Sequence, residues 1–175
     1  VWLMNNTQQE VFKTVDTEIS IEVELSDIYD KSLSSGWNWF SLNLLNSDMS
    51  VSNILSSLNS TMVESDYIKS QSAFSDYLDG FGWFGTLQSL NNLNTYKIKL
   101  TNSGNITYEG SSVSLGDTPI ELSSGWNWIS YLPQESININ TAFQSIDNFS
   151  EGDYIKSQTS FSDYIEGFGF FGTLE

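Results

Sequence analysis

The chain has 175 residues, 22 of them acidic and six lysine, with no arginine, histidine or cysteine, giving a formal net charge of −16. That balance excludes nucleic acid as a partner, because phosphate binding rests on clustered Lys and Arg. The missing residue types also exclude thiol chemistry, histidine triads and the usual zinc ligand sets, and no apolar run reaches the ~18 residues that membrane insertion needs.

Taken in chain order, apolar residues mostly alternate with polar ones, the pattern of half-buried strands. Residues 1–6 (VWLMNN) open with a short apolar strand. Glu18–Leu25 gives the cleanest alternation, with Ile19, Ile21, Val23 and Leu25 on one face. After the box LSSGWNWFS at Leu33–Ser41 opens, Trp37–Leu44 predicts a strand covered on two sides at its start: Trp37 and Trp39 share one face and Phe40 takes the other. Val51, Ile54, Leu55 and Leu58 have helical spacing, with Asp48 or Ser50 placed to cap the N-terminus. Three short strands follow at Tyr67–Gln71, Phe74–Leu78 and Trp83–Leu87, with a glycine bend at Gly80-Phe81-Gly82. Around that bend Tyr77, Phe81 and Phe84, like Tyr164, Phe168 and Phe171 later, are expected to form an aromatic core. Tyr96–Leu100 is again a strand, with Lys97 and Lys99 facing outward.

The same series then recurs. LSSGWNWIS spans Leu122–Ser130, a second helix is expected over Ile139–Ile146, and Ile155–Leu174 matches Ile68–Leu87 at fifteen of twenty positions. The offset is 89 residues for the GWNW boxes and 87 for the IKSQ boxes. A long fixed period marks a tandem array. The chain therefore reads as two repeats of about 87 residues, each mainly antiparallel β with one short helix, divided as residues 1–93 and 94–175. VWLMNN corresponds to YKIKLTN, the tail strand of a repeat, so the phase is permuted. With Val at position 1, the sequence reads as a piece cut from a longer array.

Two residue sets are candidates for binding. The first is Trp37 and Trp39 with Trp126 and Trp128, whose paired indoles either pack against a neighbouring element or form a platform for a sugar ring. The second is Asp66, Asp76 and Asp79 with Asp153, Asp163 and Glu166. These acids read as solvated turn residues paired with Lys69 and Lys156, as a calcium site, since calcium takes six to eight oxygens, or as saccharide-binding groups. No EF-hand spacing is present. No cofactor is otherwise implied, and no catalytic residue: paired carboxylates could serve a glycosidase, but two equal sets within one small array argue against an enzyme.

The GWNWIS box followed by DYIKSQ, FSDY and GFGWFGTL resembles a repeat of large secreted or surface proteins from environmental microbes and viruses. The resemblance covers Leu33–Leu100 and Leu122–Glu175, and no activity is assigned to that repeat. In its usual form a Pro-Gly turn precedes the last strand, whereas this chain has Leu90-Asn91-Asn92-Leu93-Asn94-Thr95. The resemblance implies an extracellular, repetitive setting: secreted, cell-surface or virion appendage. The expected function is a non-catalytic structural or adhesive module of a fibre or filament. Its partners are neighbouring repeats or identical subunits, joined head to tail by strand complementation. The alternative is a carbohydrate-binding module that holds a surface glycan on the tryptophans.

Overall fold

The computed structural model describes residues 26–174 throughout and, ahead of them, the backbone of two short strands. These are β1 (Trp2–Met4) and β2 (Glu10–Lys13), which pair antiparallel as a two-stranded ribbon. The alternating segment Glu18–Leu25 lies outside the described residues.

The architecture is mainly antiparallel β, as the alternation predicts. Strands β3 (Asp27–Leu33), β4 (Gly36–Ser41) and β5 (Leu44–Leu45) lead into helix α1 (Val51–Ile54) and a tight 3-10 turn at Ser56–Leu58. Then come β6 (Tyr67–Lys69), β7 (Phe74–Leu78), β8 (Gly82–Gly85), β9 (Thr95–Leu100) and β10 (Gly104–Ser112). A five-stranded sheet has the order β4-β9-β6-β7-β8, and a three-stranded sheet has the order β3-β10-β5. Strand β9 is therefore interior, with Ile98 opposite Asn38 on one side and Ile68 on the other. It completes a sheet whose other strands all precede residue 93.

One apolar cluster draws on both sheets and the helix. Ile68 and Ile98, Val51, Ile54, Leu55 and Leu58, and Ile106 and Tyr108 are all buried in it. Helix α1 starts where the sequence places it, because the Ser50 hydroxyl accepts a bond from the Asn53 N–H. So short a helix persists only because its apolar stripe is buried against the sheets.

The second matched stretch gives α2 (Ile139–Ala142), β11 (Tyr154–Lys156), β12 (Phe161–Ile165) and β13 (Gly169–Gly172). β11, β12 and β13 form a three-stranded sheet with the registers of β6, β7 and β8: Tyr67 faces Asp76 as Tyr154 faces Asp163, and Tyr77 faces Trp83 as Tyr164 faces Phe170. Among the described residues no helix is long and apolar enough to cross a membrane.

The expected aromatic core around the glycine bend needs correction. Phe81 and Phe168 sit at the turn tips, 79% and 75% exposed, and Phe84 and Phe171 are exposed too. Side chains alternate across a strand, so with Trp83 and Phe170 turned inward, their neighbours Phe84 and Phe171 must point out. Tyr77 stays inside against Trp83, and Tyr164 against Phe170.

Candidate functional site: a tryptophan–lysine seam between the two copies

Each GWNW box begins with a turn locked by its own asparagine. Asn38 accepts from the Ser34 N–H at 2.9 Å and donates to the carbonyls of Ser34 and Gly36 at 2.7 and 3.1 Å. Asn127 repeats all three bonds on Ser123 and Gly125 at 2.9, 2.7 and 2.9 Å. The turn carries φ of +94° at Gly36 and +91° at Gly125, a region open to glycine and costly for residues with a Cβ. With Asn38 and Phe40 turned into the core, Trp37 and Trp39 necessarily share the opposite face.

On that face the two boxes meet through lysines. Lys69 lies over Trp37 and Trp128, with its ammonium 5.5 and 5.7 Å from the ring centroids. Lys97 lies over Trp39 and Trp128 at 3.8 and 4.0 Å. Lys156 lies over Trp39 and Trp126 at 5.6 and 4.9 Å. The result is a continuous series: Trp37, Lys69, Trp128, Lys97, Trp39, Lys156, Trp126. Each such contact contributes about 0.5–1 kcal/mol where exposed and about 2 kcal/mol where water is displaced, so the close central pair around Lys97 dominates. Burial lowers the Lys97 pKa, and the positive charges of Lys69 and Lys156 lower it further. Half-buried Trp39 and Trp128 occupy the middle, and Trp37 and Trp126, 44% and 53% exposed, the ends.

Two glutamines clamp the seam reciprocally. Gln158 donates to the Trp37 carbonyl at 2.8 Å and accepts from the Trp39 N–H at 2.8 Å. Gln71 does the same to Trp126 and Trp128, at 2.6 and 2.9 Å. A side-chain amide thus replaces one residue of a neighbouring strand, bonding a backbone C=O and the N–H two residues on. The clamp from each copy grips the box of the other. Beside it, the Asn-rich segment before β9 takes up the second box. Thr95 N–H donates to the Trp128 carbonyl at 3.0 Å, and Ser130 N–H to the Leu93 carbonyl at 3.1 Å. The departure from the Pro-Gly turn therefore falls at a contact.

The acids do not assemble. Asp66 is buried and accepts from the N–H groups of Val63 and Thr101 at 3.1 and 2.7 Å, tying the end of β9 to the approach to β6. Asp153, its counterpart, accepts from Ser150 and is exposed. Asp76 and Asp163 lie mid-strand on β7 and β12, and Asp79 and Glu166 at exposed turns. Among the described residues no three carboxylates gather into a metal-sized cluster. Lys69 and Lys156, expected to pair with these acids, turn to the indoles.

Sequence reasoning singled out the four tryptophans but missed Lys97 and both glutamines. For the glutamines the available signal was the KSQ triplet, unchanged in both copies of a chain with only six lysines; Lys97 lies outside it. Comparison with protein-family models, curated proteins and solved structures finds no match to this chain.

Proposed function

We propose that this chain is a non-catalytic structural and adhesive repeat module of an extracellular surface protein, fibre or filament, in which the GWNW and KSQ motifs lock one copy of the repeat to the other. The observation that carries this reading is the reciprocal glutamine clamp. The same side chain at the same repeat position does the same work from both sides, and it does so on the most strongly repeated residues. A catalytic site has no need of that reciprocity, and an interface between repeats does. The acidic exterior suits such an array, since like charge opposes indiscriminate association.

The test is thermal and chemical unfolding of Gln71→Ala, Gln158→Ala and the pair. Each single change removes two hydrogen bonds and is expected to cost about 1–2 kcal/mol. Coupling in the double variant is expected, because both clamps fix one seam. An unchanged melting temperature in the double variant would overturn the reading.

The carbohydrate-binding alternative has one observation in its favour, a shallow cleft of about 430 Å³ beside Trp128, lined also by Gln71, Asn94 and Glu121. Titration of tryptophan fluorescence with surface polysaccharides separates the two. A saturable response abolished by Glu121→Ala would favour the glycan.

A further inference from the structure

In the first copy β9 pairs with β4 on one side and β6 on the other. The corresponding segments of the second copy are Gly125–Ser130 and β11, and they stand in the same mutual position. Trp126 meets the Tyr154 ring edge-on at 5.0 Å and 87°, as Trp37 meets Tyr67 at 6.0 Å and 86°. Among the described residues no strand lies between them: β11 pairs only with β12, and the second box carries only the bridge of Ile129 to Asn94. Three differences between the copies follow. Ile68 is fully buried and Ile155 is half-buried. Phe40 is buried and Ile129 is half-buried. Asp66 is buried with an oxygen on the Thr101 N–H, while Asp153 stands exposed. Among the described residues the second copy therefore has a place for one more strand, with Trp126 and Tyr154 in contact across it as Trp37 and Tyr67 are across β9.

We propose that this place receives β1 from a second copy of the chain, released from its pairing with β2 and inserted between Gly125–Ser130 and Tyr154–Lys156, so that molecules join head to tail by strand addition. This inference rests on the structural reading above and names its partner. Three features of β1 support it. Residues 1–6 are the sequence counterpart of the β9 end. Among the described residues the ribbon β1–β2 shares no sheet with any other strand, and an isolated two-stranded ribbon is marginal in water. The run Val1-Trp2-Leu3-Met4 is apolar at every position, as befits an interior strand covered on both faces. It also brings no charge to a seam where Lys69, Lys97 and Lys156 already crowd together, which a second lysine-bearing strand would do.

Analytical ultracentrifugation over a range of concentrations tests this on three molecules: the full chain, the full chain carrying Leu3→Pro, and the chain lacking residues 1–13. The full chain is expected to form concentration-dependent oligomers. The other two are expected to sediment as monomers, because proline cannot serve an interior strand. A synthetic peptide of residues 1–13 should bind the shortened chain one to one and raise its melting temperature. A full chain that stays monomeric at every concentration, or a shortened chain that oligomerises equally, overturns the proposal. So does binding of a peptide of residues 94–102 with none of the 1–13 peptide, since the place would then belong to a β9-like strand from elsewhere in an array. The glutamine variants shift the melting temperature in all these cases if the seam reading holds, so the two failures stay distinct.

Discussion

Trp83 carries a buried indole N–H with no acceptor among the described residues, and its counterpart in the second copy is Phe170. A stranded donor costs about 1–3 kcal/mol, which offsets what the larger ring gains by packing. Trp83→Phe is therefore expected to leave stability within about 1 kcal/mol of the parent or raise it, read from the denaturant midpoint at constant slope. The hydroxyls of Tyr29 and Tyr108 behave differently. They donate to the carbonyls of Ser41 and Leu44, and their rings stack at 5.0 Å. Burial raises both pKa values above the ordinary 10.0. A raised folded value means that their contribution is whole below pH 10.0 and is lost as the unfolded chain releases protons above it. Lys97 has the opposite sign: its lowered value favours the folded state as pH rises toward 10.5. Tyr29 and Tyr108, joined by Tyr96, whose pKa burial also raises, outweigh it, so stability should fall from about pH 10 upward. Tyr108→Phe should flatten that fall in denaturation measured from pH 8 to 11.

At the scale of elements, the matched hairpins share one tight approach. A Cβ on Gly85 would lie 2.2 Å from the Phe74 carbonyl oxygen and 2.6 Å from the Ser75 Cα, and on Gly172 it would meet Phe161 and Ser162 at the same distances. The adjoining serines, Ser75 and Ser162, are buried and donate to the carbonyls of Leu87 and Leu174 at 2.7 and 2.6 Å. Gly85→Ala must push β8 away from β7, and a loss of about 1–3 kcal/mol is expected in thermal unfolding. Hairpins, bends, α1 and the Ser50 cap were legible in the sequence because their causes are local: alternation, glycine at positive φ, an oxygen three residues before an N–H. The aromatic lining of the bend was misjudged because hydrophobicity says that a phenylalanine would gain by burial, whereas strand parity decides which face it takes. The seam was not legible for a different reason. The clamp joins Gln158 to Trp37 and Trp39 across some 120 residues, and no local pattern encodes which glutamine meets which backbone. Likewise no local pattern shows that Asp66 accepts from the backbone N–H of Thr101, 35 residues away.

Across the whole molecule, a charge of −16 is set against a seam built from three of the six lysines. Acid–acid repulsion is long in range and screened by salt, with a Debye length of about 10 Å at 0.1 M. Cation–ring contacts within the seam are close and partly shielded. Raising ionic strength should therefore raise the melting temperature, and a melting temperature that falls with added salt would show that exposed ion pairs dominate instead. The clamps also have a geometric consequence. Because Gln71 and Gln158 answer each other, the contact is of the handshake kind: once two partners have met, neither has a like surface left to offer a third. Growth beyond a pair then demands a different joint, so a long filament of these repeats would show its structural rhythm at every second repeat.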